Sequence, residues 1–203
     1  HPSCISLLLD RGADVNAKDK YSNTALMLAS QDGHPSCISV LLDRGADVNA
    51  KNNDGITALM AASAQGHPSC ISVLLDRGAD INAKGNDGGT ALMLASQEGH
   101  PSCISMLLDR GADVNAKGND GGTALMIASG KGHPSCISLL LDRGADVNAK
   151  SNNNDFTALM LASQGGHPSC ISVLLDGGAD VNAKAYFGFT ALMLASQEGH
   201  PSC

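Results

Sequence analysis

Between Thr90 and Lys117 the chain reads TALMLASQEGHPSCISMLLDRGADVNAK, and its apolar residues fall into two short blocks bounded by polar and turn-forming residues. Thr90 is a good N-cap for a helix over Ala91–Gln97, which Gly99 can end. Pro101 suits the first turn of a second helix, which Gly111 ends after Asp109 and Arg110. At about eight to ten residues, such helices are too short to hold together alone in water and must be stabilised by packing on their neighbours. GADVNAK and the Gly/Asn/Asp-rich stretch after it are turn chemistry, predicted to project as a finger before the next Thr cap.

The pattern returns along the whole chain of 203 residues. Cysteines stand at Cys4, Cys37, Cys70, Cys103, Cys136, Cys170 and Cys203, and histidines at His1, His34, His67, His100, His133, His167 and His200, a period of 33 with one insertion. The extra residue lies in Ser151–Phe156 (SNNNDF), where the other copies carry five residues, as in Gly85–Gly89 (GNDGG); an insertion tolerated there marks a loop. Self-similarity at this period predicts a solenoid of stacked units with no single centre. One array is expected over 1–203, with full units at 19–51, 52–84, 85–117, 118–150 and 151–184 and partial units at 1–18 and 185–203.

Composition agrees with helices. The chain is 43% hydrophobic and 2% aromatic with no Trp, so its core must be built from Leu, Ile, Val, Ala and Met, which suits closely packed short helices better than a β-sandwich. The longest apolar runs, such as ISLLL and ALMLA, fall far short of the roughly 20 residues that span a bilayer. No signal peptide is visible, and a chain that opens on His1 fits a longer parent.

Thr90–Lys117 resembles the ankyrin repeat: a TPLH-like helix start, an alanine-rich inner helix, a GH step, a leucine-rich outer helix and a GADVN turn. The resemblance covers essentially the whole chain and implies an all-α ankyrin-repeat solenoid of helix-turn-helix units with β-turn fingers. It departs from the family where Ala91 and Met93 replace the usual Pro and His, removing a Thr–His hydrogen bond in every copy, and where Cys103 replaces a larger aliphatic. Somewhat lower stability per unit is expected from both. Asn16, Asn49, Asn115 and Asn148 resemble the turn asparagines that are hydroxylated in some members, which would be modification by another enzyme.

Each His-Pro-Ser-Cys pairs two metal-ligating residues, but no third or fourth ligand accompanies them, and the preferred reading is structural. Cys103 shares an apolar helix face with Ile104 and Leu107, where a thiol behaves as a small hydrophobe, and the family uses the His for local hydrogen bonds. Equivalent cysteines about 8–10 Å apart, the spacing of packed helices, exceed the roughly 7 Å limit of a disulfide. Reduced thiols then point to an intracellular, cytoplasmic setting. GNDGG lacks the Gly-Lys-Ser/Thr of a phosphate loop, and Asn52–Asp54 lacks the downstream Glu of a calcium loop. Every Ser, His and Asp arrangement simply recurs as scaffold, so no catalysis, cofactor or metal is expected.

What differs between copies is the finger and the end of the first helix. The fingers read DKYSN, NNDGI, GNDGG, GNDGG, SNNNDF and AYFGF, and positions that vary are expected to be free of the scaffold or chosen for something else. In ankyrin proteins these two regions line the concave surface that contacts partners. All the aromatics, Tyr21, Phe156, Tyr186, Phe187 and Phe189, stand in fingers, where large rings supply contact area at low entropic cost. Phe156 and Phe189, each just before a Thr cap, have a local alternative as staples onto the next helix. With Gln164, Gln197 and Glu198 on the helix ends, these residues are the candidate contacts for a protein partner.

The net charge of −7 also belongs to the variable positions. Asp19, Asp32, Asp54, Asp87, Glu98, Asp120, Asp155 and Glu198 stand there against only Lys20 and Lys131, and Gly177 replaces an Arg of the scaffold. A mildly acidic face disfavours nucleic acid and anionic membrane. The expected function is non-catalytic binding of a protein through the concave face. The alternative is a structural spacer: the chain begins and ends on HPSC with no polar capping unit, so head-to-tail self-association, or caps supplied by a longer parent, would cover its ends.

Overall fold

The computed structural model describes residues 1–199, and among these it contains twelve α-helices and no strand. The outer helices all begin on proline: α1 (Pro2–Asp10), α3 (Pro35–Asp43), α5 (Pro68–Asp76), α7 (Pro101–Asp109), α9 (Pro134–Asp142) and α11 (Pro168–Asp176). The inner helices all follow threonine: α2 (Ala25–Gln31), α4 (Ala58–Ala64), α6 (Ala91–Glu98), α8 (Ala124–Lys131), α10 (Ala158–Gln164) and α12 (Ala191–Glu198). Each inner helix packs on the next inner helix and on the outer helix that follows it, and outer helices stack in their own row, which is the ankyrin-repeat solenoid. The closing 200–203, with Cys203, lies outside the described residues.

Local chemistry sets the helix ends. In all six inner helices the Thr Oγ1 accepts the N–H of the Met three residues on, at 3.3–3.4 Å. The Met that stands where the family has His turns its side chain inward: Met27, Met60, Met93, Met126 and Met160 are only 1–4% exposed. Such burial is worth roughly 1.5–3 kcal/mol per side chain, which offsets the missing Thr–His bond. At the other end of the unit Gly111, at φ +91°, turns the chain out of α7 in a conformation that a Cβ would strain.

Between units the core is one continuous stack. Leu59, Met60 and Ala62 of α4 and Cys70, Ile71 and Leu74 of α5 are 0–1% exposed, and the equivalent residues of the next two units are buried alike. Cys37, Cys70, Cys103, Cys136 and Cys170 are buried free thiols, whereas Cys4 of α1 is exposed. Burial pushes the Cys103 thiol up to about 11 and raises Cys70, Cys136 and Cys170 in the same direction.

Four sets of polar side chains stitch neighbouring units. The histidines reach further than the local bonding expected of them. Nε2 of His67, His100, His133 and His167 lies 2.9–3.1 Å from the carbonyls of Gln31, Ala64, Gln97 and Gly130, near the end of the inner helix of the unit before. A carbonyl only accepts, so Nε2 carries the proton and satisfies a helix end that lacks an internal partner. Asn49 Nδ2 donates to Gly78 O at 3.3 Å while its Oδ1 accepts the Asp80 N–H at 2.8 Å, and Asn16, Asn115 and Asn148 bridge the same way. Lys18, Lys51, Lys84, Lys117 and Lys150 each donate to the carbonyl of the next such lysine. Arg44, Arg77, Arg110 and Arg143 pair with Asp10, Asp43, Asp76 and Asp109 at 2.6–2.8 Å, a row that stops where Gly177 replaces the next arginine.

Candidate protein-binding face

The fingers are less free of the scaffold than their variation implies. Asp19 Oδ1 accepts the N–H groups of Tyr21 and Asn23, both at 2.8 Å; the Asn23 amide bond is the main cause holding this carboxyl below its ordinary value. Asp87 and Asp120 accept the Gly89 and Gly122 amides in shorter versions of that turn. Each finger also bonds to the one before it. The N–H groups of Asn53, Asn86, Asn119, Asn152 and Tyr186 donate to the carbonyls of Tyr21, Asp54, Asp87, Asp120 and Asn154, at 2.8–3.1 Å. Asn86 and Asn119 add side-chain bonds to the carbonyls of Asn53 and Asn86. The six-residue finger keeps this pairing by taking Asp155 to φ +55°.

The structure brings some of the candidate contact residues together. Tyr186 and Phe187 meet edge to face with ring centroids 4.5 Å apart, on a single 3-10 turn, Tyr186–Gly188. Phe187 is 88% exposed and Phe189 40%. Gln164, Gln197 and Glu198 are exposed at the ends of α10 and α12. Phe156 is half-buried against the core, in the local staple position. Tyr21 is separate: it lies in the first finger under Lys20 Nζ, 4.7 Å from the ring centroid, with four fingers between it and Tyr186.

Two recesses open between fingers and inner helices, one unit apart. The first, about 350 Å3, has Met93, Leu94 and Ile127 as its apolar lining, with Asp87, Gly89 and Asp120 at the fingers. The second, about 220 Å3, repeats it with Met126, Ile127 and Leu161 below and Asp120, Gly122 and Phe156 above. Gly89 and Gly122, each just before a Thr cap, both line the first recess and Gly122 with Phe156 lines the second, while Ile56 in the unit before packs on the core. The sequence signal was the missing side chain, which a search for aromatic and charged residues passes over. Among the described residues no group of three or more His, Cys, Asp or Glu could hold a metal ion. No helix among them is long and apolar enough to cross a membrane.

Comparison with known proteins agrees with this architecture. The family model described as "Ankyrin repeats (3 copies)" matches three times, over residues 1–85, 82–151 and 147–203. No curated protein matches. Among solved structures, the crystal structure of the human ASB11 ankyrin repeat domain is similar, with a TM-score of 0.88 and 28% identity over 98% of this chain and 90% of that chain. Ankyrin repeats are generally protein–protein interaction modules without catalytic activity of their own. Since the family's pattern accounts for the chain from its first residue to its last, the chain belongs to the ankyrin repeat family.

Proposed function

We propose that this chain is a non-catalytic module that binds a protein partner on the face formed by its fingers and the exposed ends of its inner helices. The contact centres on Tyr186, Phe187 and Phe189, with Gln164, Gln197 and Glu198 beside them. The observation that carries the reading is the Tyr186–Phe187 pair, two rings held edge to face on a projecting turn with Phe187 88% exposed. Exposed rings of this kind are what interface hot spots are made of, and truncating each should cost the complex about 2 kcal/mol. The acidic excess of the variable positions favours a partner with a neutral or basic surface.

The test is partner capture from cell extract, comparing the chain with a variant whose Ala185–Phe189 finger is replaced by GNDGG. A protein retained by the original and lost from the variant supports the reading; identical capture by both overturns it. The alternative is a structural spacer or an array of stacked copies without a single ligand. Molar mass that climbs with concentration in light scattering would support stacking.

A further inference from the structure

We propose that the recesses at Gly89 and Gly122 are adjacent sockets for one extended partner segment in polyproline II conformation, with an apolar side chain at every third residue and basic residues between. This rests on the protein-binding reading above but concerns different residues from the aromatic finger. The sockets are the same structure repeated: Leu94 and Ile127 in the first become Ile127 and Leu161 in the second. Their separation is one unit, and packed helices lie about 8–10 Å apart. Polyproline II rises 3.1 Å per residue and returns to the same side every third residue, at about 9 Å. A pleated strand returns at roughly 7 or 14 Å, out of step with the sockets. An α-helix returns at i+7, about 10 Å, but its i+3 and i+4 side chains would land on the Asp120–Gly122 finger that separates the sockets.

Charge completes the choice. Asp87 and Asp120 stand at the socket mouths, each spending Oδ1 on its own turn, and neither has an ion-pair partner among the described residues. Lys84 and Lys117 donate to backbone carbonyls and form no ion pair with either carboxylate among the described residues. A segment that carries Arg or Lys between its apolar residues places positive charge where these carboxylates lie.

The probe is a fluorescein-labelled (Leu-Pro-Arg)4 peptide, titrated with the full chain and read by fluorescence anisotropy, beside (Leu-Arg)4 and a helix-forming peptide, each with the same number of leucines and arginines. The expected result is saturable binding of the period-three peptide, at least about tenfold tighter than either control. Sockets are filled with a finger the chain already carries. Gly85→Asn with Gly89→Ile, and Gly118→Asn with Gly122→Ile, rewrite GNDGG as NNDGI, and each should weaken the peptide about tenfold. Asp87→Asn with Asp120→Asn keeps the turn acceptors and should weaken binding while flattening its salt dependence. Binding that ignores leucine spacing, ignores filled sockets, or is absent overturns the proposal. The GNDGG replacement of Ala185–Phe189 should leave peptide binding intact while abolishing partner capture, so failure of either reading is seen separately.

Discussion

Gly177 interrupts the arginine row, and restoring it should stabilise the chain by about 1 kcal/mol. The geometry is already tested one unit earlier, where Arg143 closes α9 and pairs with Asp109 at 2.7 Å. Gly177 closes α11 at φ −79° and ψ 4°, close to the −102° and 15° of Arg143, so a side chain meets no backbone strain. A Cβ there would come 2.7 Å from Leu141 Cδ1, the far end of a flexible side chain. Leu108 sits in the equivalent place beside Arg143 and is accommodated, so Leu141 has an arrangement to move into. Removing the glycine lowers the entropy of the unfolded chain, worth about 0.4–1 kcal/mol where the backbone is compatible. The new pair with Asp142 would be as exposed as its neighbours, whose arginine side chains are 35–42% accessible, and exposed pairs contribute about 0.2–1 kcal/mol.

Urea unfolding of Gly177→Arg and Gly177→Ala, each at low salt and in 1 M NaCl, separates the two contributions. Alanine should supply the entropic part and show no salt dependence. Arginine should exceed alanine at low salt and fall back toward it at about 1 M, where the screening length is roughly 3 Å. An arginine variant no more stable than glycine would refute the argument, and one equal to alanine at all salt concentrations would show that the arginine row adds nothing.

Three further outcomes follow from the stitching and the buried thiols. Asn49→Ala deletes both bonds to the next unit and should lower stability by about 1–2 kcal/mol, whereas Asn182→Ala, whose side chain makes no such bond among the described residues, should be nearly silent in the same urea titration. Cys4 should alkylate rapidly at pH 8 and the buried cysteines only on unfolding, as peptide mass mapping would resolve. Because folding raises the thiol of Cys103 from 9.0 to about 11, with Cys70, Cys136 and Cys170 raised too, the unfolded chain loses these protons first. Their contribution to stability is therefore full below about pH 9 and lost as pH rises toward about 11, a decline that Cys103→Ala should make shallower.

Helix positions were legible in the sequence because their causes are local: the Thr90 cap, the Pro101 first turn and the Gly111 exit each act within a few residues. The unit-to-unit chemistry was not, because a partner one period away leaves no local mark. His67 looks like a turn residue until its ring is found on Gln31 O, 36 residues back. The asparagines of the fingers look variable because only some copies carry them, yet Asn86 and Asn119 continue one ladder. The sockets were invisible for a different reason: each is a volume between two units, lined in part by glycines that offer no side chain to read.

The last finger gives up part of that scaffold, and the loss bears on why its aromatics are there. At 186 a tyrosine stands where the fingers at 86 and 119 have an asparagine, so the backbone bond to Asn154 O survives while the side-chain bond ends. Phe187 is held at φ +62°, a left-handed conformation that costs a non-glycine residue roughly 1–2 kcal/mol. Neither departure is repaid by burial, since Phe187 is 88% exposed. Replacing Ala185–Phe189 by GNDGG should therefore raise stability, by about 1 kcal/mol once the lost Tyr186–Phe187 contact is set against a regained hydrogen bond and a relaxed backbone. A scaffold made more stable by losing its aromatics, together with loss of partner capture, would mean the rings are kept for contact at the scaffold's expense. A thermal melt that moves down instead would make them structural, and the binding face would then have to be sought at the glycine fingers alone.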